Sequence, residues 1–264
     1  MEVSRSAYYD WRTAAPTLYQ QQDQKLGPLI KDIFFQHKRR YGARRISIEL
    51  REQGVPCSRG KARKIMDQMD LIAIQPKSFK PRTTDSRHVL GYSPNLLRDG
   101  VDLDGINQVW VGDITYIGLL NKFAYLALLM DLFSRKIIGW TLGATMEASL
   151  VITTLKRAIK SRQPQTGLIH HTDRGGQYAA TEYRQILKRA GMEQSMSRAG
   201  DCYDNAFMES CFGTVKTELE MTTYPSFPQA HKEIQEYINY YNHLRRHSSL
   251  EYLSPCRFEL AHYS

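Results

Sequence analysis

Three carboxylates in this 264-residue chain have types and spacings that chemistry can use. Asp113 stands mid-way along WVGDITYI, an otherwise apolar stretch in which a charge is costly to bury unless it is paired or holds a cation. Asp173 follows the apolar run LIHHT and precedes Arg174, Gly175 and Gly176. Glu209 lies in NAFMESCFGTVKTEL (205–219), which reads as an amphipathic helix. At about 100° per residue, Met208, Cys211, Val215 and Leu219 form its core stripe, and Asn205, Glu209, Phe212 and Lys216 cluster on the neighbouring face. Magnesium prefers oxygen ligands and keeps several waters, so three such acids brought together can hold two ions near a scissile phosphate. The two glycines let the backbone turn away after Asp173 and permit a phosphate to approach. Taken singly, each aspartate reads as a helix N-cap or as half of a surface ion pair; the three together favour the metal cage.

The elements around these acids decide whether they can meet. NQVWVGDITYI (107–117), KFAYLALLMDLF (122–133) and KIIGWTLGATM (136–146) read as a three-stranded antiparallel meander. A helix over 147–161 follows, then the short strand GLIHHT (167–172), a helix over about 181–190, a strand near 193–197, a loop over 198–204 and the helix that carries Glu209. This order is that of a ribonuclease-H-like fold, an α/β mixed five-stranded sheet flanked by helices. In such a sheet the fourth strand lies beside the first, which brings Asp173 to Asp113.

The formal charge of +9 is unevenly placed. Residues 1–90 hold 18 Lys and Arg against 9 Asp and Glu, and the other 174 residues hold 18 of each, so the whole excess belongs to the first third. Lys and Arg near phosphates gain affinity by displacing condensed counterions, so this third reads as a polyanion-binding module or, more plainly, as a solvated basic surface. Leu26–Lys38, ARRISIELREQG (43–54) and a helix from an N-cap at Ser58 to about Met69 make a small all-α unit. Ala62, Ile65, Met66 and Met69 would face its core, leaving Arg63 and Lys64 outward, with Arg59 and Lys61 near the helix entry. Two short helices joined by GVPC, the second basic, look like a helix-turn-helix that can enter a DNA major groove. A three-helix packing unit with charged faces is the alternative. The organisation expected is therefore a basic helical region over 1–73, a linker over 74–104, with two prolines and five basic residues in 74–88, and a core over 105–264 with a C-terminal helical extension.

Composition bounds the rest. With 42% hydrophobic residues the chain can build an ordinary core. No apolar run is long enough for a membrane span, and the start lacks the apolar stretch of a secretory signal, so a cytoplasmic protein is expected. Cys57, Cys202, Cys211 and Cys256 have no zinc-type spacing and are expected to be reduced thiols.

These motifs together resemble a known family. Asp113 in WVGDITYI, Asp173 in HTDRGGQY and Glu209 in DNAFMESCFGTVKTE look like the DDE triad of bacterial insertion-sequence transposases, whose catalytic core is similar to retroviral integrase. Between Asp173 and Glu209 lie 35 residues, the spacing of that superfamily, and Lys216 holds the basic position seven residues after the glutamate. VSRSAYYDW, RRYGARRI, MDLFSRKIIGW and YYNHLRRHSSLEYLSPCRF are similar to the hallmarks of OrfB, the downstream-frame product of the two-frame insertion sequences. The resemblance implies DNA cleavage and strand transfer with two Mg2+ ions, Mn2+ serving as a substitute. Asp113 and Asp173 would bridge the metals, Glu209 would hold one of them, and Lys216 and Asn205 would position the DNA end. Arg245 and His247, in YYNHLRRHSSL, would be further DNA contacts or would order the last helix against the core. The partners implied are insertion-sequence ends, target DNA, an upstream-frame protein and further copies of the chain, at the bacterial nucleoid. Two rivals differ in class: a ribonuclease-H-like RNA hydrolase, whose first long helix would carry an acid where this one has only Glu147 at its start, and a non-catalytic DNA-binding derivative, which could lose the acids.

Overall fold

The computed structural model describes residues 4–15, 17–75, 91–98, 100–197, 212–219 and 223–263. They fall into two compact units, Met1–Gln75 and Pro76–Ser264.

The first unit holds α1 (Arg5–Thr13), α2 (Leu18–Gln36), α3 (Ala43–Glu52) and α4 (Arg59–Gln68). Ser58 caps α4 by accepting from the Lys61 backbone N–H, and Ala62, Ile65 and Met66 are buried, as their spacing requires. Gly54, at φ +77, closes α3 and lets Val55 N–H donate to the Leu50 carbonyl at 2.8 Å. The second helix begins eight residues before the expected Leu26. Thr17 and Gln20 form a reciprocal capping box there, and Pro28 is carried inside the helix. Ile30, Phe34, Tyr41, Ile46, Leu50 and Ile65 build the core of this unit.

In the second unit β1 (Val109–Gly118), β2 (Phe123–Asp131) and β3 (Ile137–Gly143) form the meander; α5 (Ala148–Arg162), β4 (Ile169–Thr172), α6 (Gly176–Ala179), α7 (Thr181–Arg189) and β5 (Glu193–Met196) follow. The chain continues through the helix 212–219, designated α8, then α9 (Phe227–His243), a 3-10 turn (Ser248–Leu250) and α10 (Pro255–Tyr263). The sheet order is β3-β2-β1-β4-β5. The first three strands are antiparallel, and β4 runs parallel to β1 and β5. This is the ribonuclease-H-like mixed sheet, with β4 beside β1.

Side-chain alternation splits the sheet into two apolar layers. Val109, Val111, Ile117, Leu126 and Leu128 pack against Phe212, Val215 and Leu219 of α8 and Ile234, Tyr237 and Tyr241 of α9. Trp110, Ile114, Ala127 and Leu129 pack on the other face against Val151, Leu155, Tyr178, Tyr183 and Leu187 of α5, α6 and α7. Phe212, expected beside Glu209 on the neighbouring face, is fully buried in the first layer. Residues 93–96, within the expected linker, are bonded along β5: Leu96 N–H donates to Ser195 Oγ at 2.9 Å and Met196 N–H to the Pro94 carbonyl at 3.2 Å. Among the described residues no helix is long and apolar enough to cross a membrane, and Cys57 and Cys256 are free thiols.

Candidate active site

Asp113 shares its side of β1 with Val109, Val111 and Ile117, so its carboxylate projects into the layer that α8 covers. The parallel register pairs Val111 with His171, and Asp173 lies two residues beyond His171 as Asp113 lies two beyond Val111. The two acids thus leave neighbouring strands at the same level. Asp113 Oδ1 accepts from the Ile114 backbone N–H at 2.9 Å, and its Oδ2 contacts the Lys216 ammonium of α8. Burial pushes the Asp113 carboxyl above the usual range; Lys216 opposes that rise and Asp173 adds to it. The middle of β1 and the end of β4 therefore bring together two mutually repelling carboxylates, with a cation from α8.

Asp173 Oδ1 accepts from Gly175 N–H at 2.9 Å. The reason for glycine here differs from the expected one. Neither Gly175 nor Gly176 has a positive φ. A Cβ at Gly175 would meet Asp173 Oδ1 at 3.0 Å and Gln177 Oε1 at 2.9 Å, so the close approach of the carboxylate, not the turn, calls for the missing side chain. The next residues supply a group the sequence reading missed. Tyr178, on α6 and nearly fully buried, has its phenol pushed well up by burial first and then by Asp173, Tyr183 and Asp113. It is a neutral hydroxyl close enough to feel both acids, and its only sequence signal is its place five residues after Asp173. Arg174 turns from the site to bond the Ser197 carbonyl through Nε at 2.8 Å and to lie over the Tyr92 ring at 4.5 Å. The histidines before Asp173 are structural: His170 Nε2 lies 2.6 Å from the Tyr183 hydroxyl and is held down to about 3 by burial, and His171 Nδ1 lies 2.8 Å from Ser195 Oγ.

This donor set fits a hard divalent cation. It offers carboxylate oxygens only, and the Asp113 carboxyl, raised by burial first and by Asp173 in addition, already draws in an ammonium. Among the described residues no group of three acids, histidines or cysteines gathers. Glu209 and Asn205 lie outside the described residues.

Residues 104–202 match the integrase core domain family, residues 190–255 match a second family of the same description, and residues 21–79 match the HTH-like domain family. The chain is 40% identical to the insertion element IS600 uncharacterized 31 kDa protein of Shigella sonnei, over 97% of this chain and 94% of the relative. It is 39% identical to the transposase for insertion sequence element IS904 of Lactococcus lactis, over 92% of this chain and 97% of that one. The chain belongs to the transposases of bacterial insertion sequences. The transposase also aligns with a chain of the simian T-cell lymphotropic virus intasome in complex with PP2A regulatory subunit B56 gamma, at 17% identity and a TM-score of 0.49, over 89% of this chain and 74% of that one.

The remaining candidate residues of the transposase divide by exposure. Arg59 and Arg63 are exposed on α4, Arg63 pairing loosely with Asp67 at 3.7 Å. Lys64 is also exposed, yet its ammonium bonds Asp23 at 3.1 Å. Lys61 is turned inward, 2.8 Å from Asp23 and 3.7 Å above the Tyr19 ring, because α2 begins early enough to place those partners beneath it. Arg245 and His247, named as further DNA contacts, are instead buried at 2% and 8% exposure. Arg245 pairs with Glu218 at 2.8 Å and His247 packs edge-on against Tyr241, so neither presents a surface to DNA.

Proposed function

We propose that the transposase uses Asp113, Asp173 and Glu209 as a DDE triad for metal-dependent DNA cleavage and strand transfer. The observation that carries this reading is the pair of aspartates at one level of the parallel strands β1 and β4, Asp113 mid-way along β1 and Asp173 just past the end of β4, with Lys216 of α8 drawn onto Asp113. The sequence adds support: in the helical reading of 205–219, Glu209 precedes Lys216 by seven residues, about two turns. Asp113 and Asp173 would hold Mg2+ between them, or Mn2+ in its place, and Glu209 would complete a site for two ions. Bound there, the metal supplies Lewis acidity for activating a water, and then a DNA 3′-OH, and for stabilising the leaving oxygen. Cleavage breaks a P–O3′ bond as a P–O bond to water forms, leaving a 3′-OH and a 5′-phosphate, and joining breaks one phosphodiester P–O bond as the attacking 3′-OH forms another, so no oxidant or energy-carrying co-substrate is needed.

The chain's own groups then have distinct tasks. A dication facing Asp113 would hold it ionised against its burial, Tyr178 remains a neutral hydroxyl, and Lys216, released from Asp113, reaches the phosphate of the DNA end with Asn205. Arg59, Arg63 and Lys64 contact backbone phosphates, and Lys61 fixes the start of α4 through Asp23. The substrates are insertion-sequence ends and target DNA, handled by several copies of the chain with an upstream-frame protein in the bacterial cytoplasm, at the nucleoid. The test is Glu209→Gln with labelled DNA ends and Mg2+. Binding in a gel shift should survive, and cleavage and joining should fall by at least about a thousandfold, because the lost charge stabilisation amounts to several kcal/mol at about 1.4 kcal/mol per factor of ten. A variant that joins DNA as fast as the parent removes Glu209 from the triad.

A further inference from the structure

The motif YYNHLRRHSSL has no part in the chemistry described so far, yet it supplies a buried arginine bonded through all three guanidinium nitrogens. Arg245 is 2% exposed. Its Nε donates to Glu218 Oε1 and Oε2 at 3.0 and 3.2 Å, and its Nη2 donates to Oε1 at 2.8 Å. Nη1 faces the Arg246 carbonyl and His247 Nε2, both at 3.4 Å. The Tyr237 hydroxyl of α9 donates to Glu218 Oε2 at 3.0 Å.

Glu218 stands on α8, two residues after Lys216, about 200° around the helix. The helix is therefore gripped from two sides, by Asp113 through Lys216 and by Arg245 through Glu218, while Phe212, Val215 and Leu219 fill the core. A buried ion pair is a poor source of stability, since apolar residues of similar volume often do as well. What a planar fork adds is direction, because a bidentate guanidinium accepts a carboxylate from a narrow range of angles. The direction fixed here is the rotation of the helix that faces Asp113.

We propose that Arg245 is a positioning residue for strand transfer: its buried fork on Glu218 sets the rotation of α8, and so the meeting of Lys216 with Asp113. This rests on the reading of Asp113, Asp173 and Glu209 as the metal-holding acids.

The test uses the full chain with three changes: Arg245→Met combined with Glu218→Leu, which keeps the volume and removes the fork; Arg245→Lys, which keeps the charge; and Tyr237→Phe, which removes one hydroxyl from Glu218. Each is measured for melting temperature, Mn2+ affinity without DNA, and KM for DNA ends against kcat of strand transfer. The double variant should melt within a few degrees of the parent, bind Mn2+ severalfold more tightly without DNA because Lys216 is no longer held on Asp113, and lose tenfold or more in kcat at unchanged KM. Arg245→Lys and Tyr237→Phe should change by smaller amounts in the same directions. A rise in KM alone would make Arg245 a DNA contact and overturn the proposal. Parental kcat and Mn2+ affinity in Arg245→Lys and Tyr237→Phe would overturn it as well, even if the double variant failed to fold. Asp113→Asn, run alongside, separates the two levels: if it retains Mn2+ binding and joining, the metal-site reading fails; if it is inactive while the Arg245 and Tyr237 variants match the parent, only the positioning role fails.

Discussion

Replacing Lys216 by Met probes the site through the cation it already contains. The ammonium rests on Asp113 Oδ2, with side-chain exposures of 32% for the lysine and 13% for the aspartate. A hydrogen bond between charged groups contributes about 1.5–3 kcal/mol, and the solvent reaching the lysine puts this pair at the lower end. A divalent ion entering the site competes with that ammonium, so its affinity is weakened by the free energy of the contact. In Lys216→Met the competition is gone. At about 1.4 kcal/mol per factor of ten, Mn2+ affinity in the absence of DNA should rise about tenfold. The same change leaves Asp113 beside Asp173 without the ammonium, costing the metal-free catalytic unit about 1.5 kcal/mol, or about 3–6 °C in Tm for a unit of this size. Saturating Mn2+ should recover that loss. Strand transfer should nonetheless decline, because the lysine no longer holds the DNA end. The assays are an Mn2+ titration by electron paramagnetic resonance and thermal unfolding with and without Mn2+. An unchanged or weaker Mn2+ affinity would refute the reasoning, since the ammonium would then not stand where the metal binds.

Three further outcomes follow from charges placed by the fold. Asp113→Asn should raise the Tm of the metal-free protein while abolishing strand transfer. Burial, with Asp173 set against Lys216, lifts this carboxyl's pKa, so the fold binds more protons than the unfolded chain and loses stability as pH rises through the lifted value; a lower Tm at neutral pH would contradict this. Glu259 works in the opposite sense: burial pushes its carboxyl up, but hydrogen bonds from Arg162 and Lys136 outweigh burial and hold it low. Its contribution is present above the ordinary glutamate pKa and is lost as pH falls through the depressed one, so Glu259→Gln should cost about 3 kcal/mol at neutral pH and flatten the acid limb in urea unfolding over a pH series. Arg59→Ala and Arg63→Ala should each reduce the slope of log affinity against log salt by about one in fluorescence anisotropy with duplex DNA, whereas Lys61→Ala should leave it unchanged because Asp23 holds that ammonium.

What the sequence made legible was local. Ser58 and the spacing of Ala62, Ile65 and Met66 define α4 without help from elsewhere, and the alternation along β1 places Asp113 on one face of the sheet. The start of α2 was hidden because Gly27 and Pro28 look like breakers, although the capping pair Thr17 and Gln20 was present to be read. What overrides the proline is tertiary: Asp23 on the early turns of α2 is held by Lys61 and Lys64, about forty residues away. Phe212 failed for a related reason. Angular spacing orders the residues around a helix but does not set how deeply the helix rolls into its sheet, and α8 rolls far enough to bury Phe212 along with Val215 and Leu219. For Arg245 the sequence left a DNA contact and an ordering of the last helix both open; the carboxylate that turns it inward is Glu218, 27 residues earlier in the chain.

The same limit separates two aspartates that the sequence presents alike. Asp113 and Asp131 both interrupt apolar strands, and burial raises both carboxyls. Asp131 is fully buried, but Oδ1 accepts from the Ser134 backbone N–H at 2.9 Å and from its hydroxyl at 3.1 Å, and Oδ2 accepts from Asn107 N–H at 2.7 Å with Arg162 at 3.8 Å. Every oxygen there has a donor, and Glu259, the next acid, is itself bonded by Arg162 and Lys136. Asp113 has a lysine a third exposed on one side and a second carboxylate on the other. Burial raises both carboxyls, and the partners decide what that yields: at Asp131 a closed structural hub, at Asp113 the acid pair that the proposed metal site would use. Those partners come from the β2–β3 turn and α5 in one case and from β4 and α8 in the other, so only the folded chain can tell the hub from the site.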